Sequence, residues 1–231
     1  MRDRPRQLAF DLPLAPRYGR DDFLVGPSNE RACALVERWP DWPGPTLALT
    51  GPRGSGKSHL AAIWAARAGA ATLDATSVTG TRVPDLVAAG ALVVEDLDRG
   101  ARDEPALFHL LNLAREHGCH LLLTGAAGVE GWGLGTPDLV SRLRLAPRAT
   151  LSAPDDALLR AVLVKLFLDR QLVVDTTVVD YLALRIERSL ERAGAVVAAL
   201  DREALSRGRR ITRPMAAELL GVADGDEDEP D

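Results

Sequence analysis

Residues 46–58 join a short apolar run to a glycine-rich loop, and the loop ends in a lysine and a serine. Gly51, Gly56, Lys57 and Ser58 complete the pattern G-x-x-x-x-G-K-[ST]. Glycines let backbone N–H groups surround an oxyanion, and a following helix adds partial positive charge. The lysine reaches β- and γ-phosphates, and the serine hydroxyl coordinates Mg²⁺. The pattern therefore predicts a nucleoside di- or triphosphate site. The residues predicted to hold the nucleotide are Pro52, Arg53, Gly54, Ser55, Gly56, Lys57, Ser58 and His59.

The elements around this loop alternate between strand and helix patterns. Thr46–Thr50 is a β-prone apolar run, and a helical pattern begins at Lys57. The further predicted strands are residues 71–74, 91–96, 120–124 and 148–151, and predicted helices include 84–89 and 104–117. Such alternation predicts an α/β fold with a parallel five-stranded sheet flanked by helices. The ligand of such a sheet lies at the carboxyl ends of its strands.

Two carboxylates, Glu95 and Asp96, follow the buried apolar run 91–94. In phosphate-loop proteins one strand-end acid holds Mg²⁺, and the next orients or deprotonates the attacking water. Asp98 lies two residues after Asp96, so the sequence leaves open which of these acids take the two roles. Thr124 ends a strand predicted to neighbour the phosphate loop, where its hydroxyl either senses the γ-phosphate or is an ordinary strand-end group.

From Asp155 onward the pattern is wholly helical, at about 155–170, 176–187, 189–206 and 214–220, which predicts a small all-helical domain. Arginines stand at two places of interest. Arg142 follows a short helix predicted to point away from this chain's own site, so it is either delivered to a neighbour's nucleotide or a solvated helix end. On the helical domain, one arginine of a shared face can close over the phosphates. These arginines are Arg185, Arg188 and Arg192.

Charge and composition narrow the class of protein. The net charge is −5, but Asp224–Asp231 hold six acids and no base; the remainder has 27 acidic against 28 basic residues, a charge of +1. A near-neutral body predicts no direct sequence-specific DNA binding. No apolar run approaches the ~20 residues of a membrane span. Cys33 and Cys119 are isolated, which is typical of a reducing cytoplasm.

The two ends of the chain carry distinct patterns. Residues 1–20 are rich in Pro and Arg and predict a flexible arm, and residues 223–231 predict a disordered acidic tail. The arm contains Gln7-Leu8-Ala9-Phe10-Asp11-Leu12 between prolines. This hexapeptide either packs on the domain or binds a partner's groove through a few anchors. The candidate anchors are Gln7, Leu8, Phe10 and Leu12.

The order of these motifs resembles the AAA+ module of the bacterial replication initiator DnaA. The segments that carry the resemblance are Phe23–Asn29, Gly51–Ser58, Val93–Asp96 and Pro137–Leu143. The resemblance implies a flexible arm at 1–20, an AAA+ nucleotide-binding domain at 21–153, a helical lid domain at 154–222 and a tail at 223–231. A DnaA continues into a helix-turn-helix domain that reads DNA, whereas an acidic tail follows Leu220 here. We therefore expect no initiator function.

An AAA+ module preceded by such a hexapeptide is similar to the Hda family, the DnaA-related regulatory inactivators. The resemblance implies that the hexapeptide docks on the β sliding clamp. It also implies that the clamp-bound, ADP-loaded protein contacts ATP-loaded DnaA and triggers hydrolysis there, which prevents re-initiation. The implied cofactors are ADP, or alternatively ATP, and Mg²⁺. Self-association as a homodimer is left open.

The resemblance also implies residue roles. Leu24, Val25 and Gly26 match the segment that lines the adenine pocket, and Arg142 matches the arginine finger. Glu95 matches the Mg²⁺-binding acid and Asp96 the water-orienting acid. The nucleotide-sensing arginine of the lid is matched by Arg188, with Arg192 as an alternative.

Two departures from the family pattern bear on activity. DnaA has two aspartates where this chain has Glu95 first, and AAA+ proteins often have Asn or Ser in place of Thr124. Both departures predict weak hydrolysis by this chain itself and fit a regulator that holds ADP. Two other functions remain open: a self-assembling AAA+ ATPase such as a helicase loader, and a non-catalytic scaffold tethered to the clamp.

Overall fold

The computed structural model describes residues 18–221, which form two compact units; one ends at Ala153 and the other begins at Pro154. Each unit has its own apolar core. The predicted clamp peptide at residues 7–12 and the acidic tail at 223–231 lie outside the described residues.

The first unit is built on one parallel sheet of five strands, as predicted. The strands are β1 (Thr46–Thr50), β2 (Ala71–Asp74), β3 (Ala91–Glu95), β4 (His120–Gly125) and β5 (Arg148–Thr150). Their order is β2-β3-β4-β1-β5, and all neighbours are parallel. Strand β1 is therefore interior, with the end of β4 beside the start of the glycine loop.

Alternate side chains of the central strands enter two different cores, which explains their continuous apolar runs. Leu47 and Leu49 of β1 pack on one face of the sheet, and Ala48 packs on the other. Helices α1 (Glu30–Glu37) and α2 (Lys57–Ala68) cover the first face. The helices on the second face are α3 (Val83–Ala88), α4 (Glu104–His117) and α5 (Pro137–Leu145).

Helix α1 begins and ends differently from the sequence prediction. The pattern predicts Ser28 as the N-cap and a helix to Trp39, but Asn29 occupies the N-cap position and the helix ends at Glu37. Asn29 is 3% exposed, and its side chain bonds back to the preceding loop instead of capping the helix. The local loop contacts thus take precedence over the serine cap.

The second unit consists of four helices around their own core, as the periodicity predicts. They are α6 (Asp156–Asp169), α7 (Thr176–Arg185), α8 (Leu190–Arg207) and α9 (Arg213–Leu220). Each begins after a side chain that accepts a backbone N–H, namely Asp155, Asp175, Ser189 and Thr212. These caps satisfy N–H groups that have no partner within the helix. Among residues 18–221, no helix has the length and apolar character that crossing a membrane requires.

Candidate nucleotide site

The glycine loop between β1 and α2 has backbone conformations that residues with a side chain rarely adopt. Gly51, Gly54 and Gly56 have φ angles of 153°, 71° and 100°. A Cβ atom at Gly51 would lie 2.5 Å from the carbonyl oxygen of Leu151. Glycine is therefore required here by close approach as well as by φ. The loop leads directly into α2 at Lys57, so the backbone N–H groups of the loop and the start of the helix are the groups that an anion-binding cradle uses.

Lys57 lies against this loop. Its Nζ donates to the carbonyl oxygens of Gly51 at 2.8 Å and Pro52 at 3.0 Å. Burial lowers the pKa of Lys57, and nearby carboxylates oppose that shift, Asp98 most and then Asp96. The lysine ammonium and the acids after β3 therefore share one electrostatic environment, as a nucleotide–Mg²⁺ site requires.

The acids after β3 are held by the end of β4. The N–H of Asp96 donates to Thr124 Oγ1 at 3.1 Å, and the N–H of Leu97 donates to the Thr124 carbonyl at 2.9 Å. Asp96 has a φ of 57°, a left-handed conformation that costs a non-glycine residue free energy. Its carboxylate also lies 3.3 Å from Arg99. Thr124, only 1% exposed, thus supports the turn that carries the predicted water-orienting acid.

Three buried polar atoms near the loop find no hydrogen-bond partner among the described residues: Ser55 Oγ, Glu95 Oε1 and Asp98 Oδ1. Buried polar groups normally have partners, and unsatisfied ones require an explanation. A nucleotide phosphate with Mg²⁺ would supply it. Within residues 18–221 no group of three or more His, Cys, Asp or Glu side chains could hold a metal ion.

These residues fit a bound Mg²⁺-nucleotide. Ser58 stands exposed at the first turn of α2, and Glu95 ends β3 with a carboxylate oxygen that lacks a partner in the described chain. These two groups would hold the metal, which supplies charge neutralisation at the phosphates. In the sequence Asp98 only leaves the register of the acids open; its unsatisfied oxygen and its effect on the pKa of Lys57 make it a further candidate for the same site.

The predicted adenine segment is fixed by one buried side chain. Asn29 Oδ1 accepts from the Gly26 N–H at 2.8 Å, and Asn29 Nδ2 donates to the Leu24 carbonyl at 2.9 Å. Val25, between them, is 48% exposed. The sequence reasoning missed Asn29, although an Asx side chain after Gly-Pro-Ser is a known turn-former.

His59 links the entry of the domain to the start of α2. One ring nitrogen, Nε2, lies 3.0 Å from the Gly19 carbonyl oxygen, and the rings of Tyr18 and Phe23 each meet the imidazole edge-on at 5.2 Å. The predicted nucleotide-binding residue His59 therefore has contacts that position residues 18–23 beside the phosphate-loop helix.

Arg142 lies near the amino ends of the strands, opposite the glycine loop. It lines a groove of 420 Å³ with the residues around the start of β1 and the end of α5, which are Pro43–Thr46, Leu143, Leu145, Ala146 and Pro147. The glycine loop follows the opposite, carboxyl end of β1, about 15 Å away for a five-residue strand. The exposed guanidinium lies over the Phe108 ring, with 5.2 Å from Cζ to the ring centroid.

The candidate sensing arginines belong to the second unit. Arg188 pairs with Asp156, with 2.9 Å between Nη2 and Oδ1, and both side chains are about half exposed. Arg192 is exposed, and its N–H donates to the Ser189 cap. The predicted clamp-binding residues Gln7, Leu8, Phe10 and Leu12 fall outside the described part of the chain.

Comparison with known proteins gives no match to any family model and no match to a curated protein. Among solved structures, the chain is similar to domain III of the replication initiation protein DnaA from Thermotoga maritima. The TM-score is 0.76 at 18% identity, over 90% of this chain and 98% of that one. The fold is that of an AAA+ module.

Two further structures agree with this assignment. AMPPCP-bound DnaA from Aquifex aeolicus has a TM-score of 0.68 at 17% identity, over 83% of this chain and 67% of that one. The RuvB Holliday junction branch migration motor of Thermotoga maritima has a TM-score of 0.62 at 16% identity, over 85% of this chain and 67% of that one. In this fold the G-x-x-x-x-G-K-[ST] motif follows the carboxyl end of β1, and the exposed Arg142 lies near the opposite, amino ends of the strands.

Proposed function

We propose that this AAA+ protein is a regulator of replication initiation of the Hda type. It binds an adenine nucleotide, with ADP as the resting ligand, docks on the β sliding clamp and stimulates ATP hydrolysis on DnaA in trans. Arg142 is the arginine finger, and the hexapeptide with Gln7, Leu8, Phe10 and Leu12 is the clamp ligand. The domain division at 1–20, 21–153, 154–222 and 223–231 belongs to the same proposal.

The position of Arg142 is the observation that carries the proposal. The side chain is exposed near the amino ends of the strands, whereas the phosphate loop of the same chain follows the carboxyl end of β1. An arginine in this position is available to a nucleotide that is bound on another molecule. One inserted arginine accelerates phosphoryl hydrolysis by roughly 10³- to 10⁵-fold, so a regulator needs no further catalytic group.

The nucleotide site supports the nucleotide part of the proposal. The glycine cradle, Lys57 and the unsatisfied oxygens of Ser55, Glu95 and Asp98 fit a Mg²⁺-nucleotide. The similar DnaA structure bound to AMPPCP favours adenine. The proposal also assigns Leu24–Gly26 to the base, and Arg188, with Arg192 as the alternative, to the phosphates.

Two other functions compete. A self-assembling AAA+ ATPase, such as a helicase loader, is favoured by the RuvB similarity and predicts rapid ATP turnover by the protein alone. A clamp-tethered scaffold predicts clamp binding without any effect on DnaA hydrolysis.

The test is single-turnover hydrolysis on ATP-preloaded DnaA, with DNA-loaded clamp and the full-length protein in ADP. We expect acceleration that requires the clamp and is lost when Gln7 and Leu8 are both changed to Ala. Equal hydrolysis with and without this protein, in every nucleotide state, would contradict the proposal and favour the clamp-tethered scaffold. Fast ATP turnover by the protein in the absence of DnaA would favour the self-assembling ATPase.

A further inference from the structure

Helix α4 contacts α5 through two side chains that lie one helical turn apart. Glu104 is the first residue of α4, and Phe108 is four residues later, so both project from the same face. Glu104 binds the backbone at the beginning of α5, and Phe108 lies under the guanidinium of Arg142. One face of α4 thus contacts both the start of α5 and Arg142 near its end.

The carboxylate of Glu104 supplies the acceptors that the start of α5 otherwise lacks. Glu104 Oε1 accepts from the Gly135 N–H at 2.9 Å, and Oε2 accepts from the Thr136 N–H at 2.7 Å. Thr136 is the N-cap of α5, but its own side chain makes no capping hydrogen bond. An anionic acceptor at a helix N-terminus stabilises both the free N–H groups and the helix dipole. Glu104 therefore fixes where α5 begins.

Phe108 orients Arg142 without neutralising its charge. Among the described residues Arg142 has no carboxylate partner, whereas Arg144, two residues later, pairs with Glu130 at 3.3 Å. A ring under a guanidinium restricts its orientation and leaves its N–H donors at the edges available. A carboxylate would instead occupy the donors that a phosphate needs.

We propose that Glu104 and Phe108 are positioning residues for Arg142, which set the height and direction in which α5 presents the guanidinium to a second nucleotide-bound protein. The inference rests on the proposed function for its activity readout but not for its geometry. Glu104 acts through the backbone at the start of α5, and Phe108 acts on the Arg142 side chain directly.

The first test measures the geometry alone. In the full-length protein with ADP, the Nε–Hε NMR signal of Arg142 is assigned by its loss in Arg142→Lys. Phe108→Leu removes the ring current and should shift this signal towards that of a free arginine, and Phe108→Tyr should keep it in place. An unchanged signal in Phe108→Leu would overturn the stacking, whatever the function of the protein.

The second test measures stimulated hydrolysis on DnaA against the concentration of this protein. Phe108→Leu should lower the maximal rate about three- to fivefold, the range expected for an exposed cation–π contact, and Phe108→Tyr should restore it. Glu104→Ala should lower the maximal rate similarly, with partial rescue by Glu104→Gln. The half-saturating concentration should not change, since docking is intact.

The outcomes separate the two proposals. A full maximal rate in Phe108→Leu and Glu104→Ala, with Arg142→Ala inactive, would overturn the positioning role and leave the proposed function intact. Full stimulation by Arg142→Ala would overturn the proposed function itself, and the NMR measurement would then decide the positioning of α5 by itself.

Discussion

The hydroxyl of Thr124 accepts a hydrogen bond from the N–H of Asp96 at 3.1 Å. This bond connects the end of β4 to the turn after β3, so two neighbouring strand ends are fixed as one unit. Because β4 also neighbours β1, the same connection lies beside the phosphate loop. The acids of the candidate site are therefore supported from the strand that precedes α5 and Arg142.

Thr124→Val should destabilise the protein by about 1–3 kcal/mol, since the shape is kept while the Asp96 N–H loses its acceptor. Thr124→Ser keeps a hydroxyl and is the matched control. Denaturant unfolding, with and without ADP, measures both. Equal stability of the valine variant and the parent protein would show that the bond contributes nothing.

Asp96→Asn should be tolerated better than Asp96→Ala, although both remove the carboxylate. The φ of 57° is a conformation that Asn adopts readily and Ala does not. We expect the alanine variant to be about 1 kcal/mol less stable than the asparagine variant. Thermal or urea unfolding gives this difference, and a more stable alanine variant would contradict a strained turn.

Lys57→Ala should weaken ADP binding about 10- to 100-fold, the range for losing a charged hydrogen-bonding group. Calorimetric titration with ADP and Mg²⁺ measures this loss. Arg53→Ala is the comparison on the same loop: Arg53 occupies a variable position of the motif, where the cradle uses the backbone N–H and not the side chain, so this change should cost less. Unchanged affinity in Lys57→Ala would rule out the predicted phosphate contact.

The contact between Glu104 and the start of α5 should weaken only at acid pH. Hydrogen bonds from Thr136 and from the Gly135 N–H hold the pKa of Glu104 below its ordinary value of 4.5. A lowered carboxyl pKa contributes stability that is fully present above the unfolded value and is lost as pH falls through the folded value. The difference in unfolding free energy between the parent protein and Glu104→Gln should therefore be constant near neutral pH and shrink below about pH 4.5. A difference in unfolding free energy that is largest at acid pH would contradict this prediction.

The sheet could be predicted from the sequence because a strand that is buried on both faces has apolar residues at successive positions. Leu92 and Val93, for example, enter opposite cores and are both fully buried. The helices of the second unit were predicted from their apolar periodicity, and caps such as Asp155 and Ser189 are the local reason that two of them begin where they do. Local chemistry determines both patterns, so one sequence is enough to predict them.

The contacts that define the candidate site join residues far apart in sequence, which no local pattern encodes. Thr124 meets Asp96 across 28 residues, and Glu104 meets Gly135 across 31. The motif predicts Lys57 and the end of the buried apolar run predicts the strand-end acids, but neither the left-handed turn at Asp96 nor the ring beneath Arg142 has a sequence signature. Asn29 was missed because a serine before it satisfied the simpler capping rule.

The most direct measurement compares Arg142→Ala with Arg144→Ala in clamp-dependent hydrolysis on ATP-loaded DnaA. Both variants remove one exposed arginine from α5, but Arg144 pairs with Glu130 in its own chain, whereas Arg142 has no carboxylate partner among residues 18–221. Melting temperature and ADP affinity should stay at parent values in both, which excludes a folding effect. The proposal predicts that Arg142→Ala loses at least about 10³-fold of the stimulation, and that Arg144→Ala retains most of it. Equal stimulation by the two variants would contradict the account.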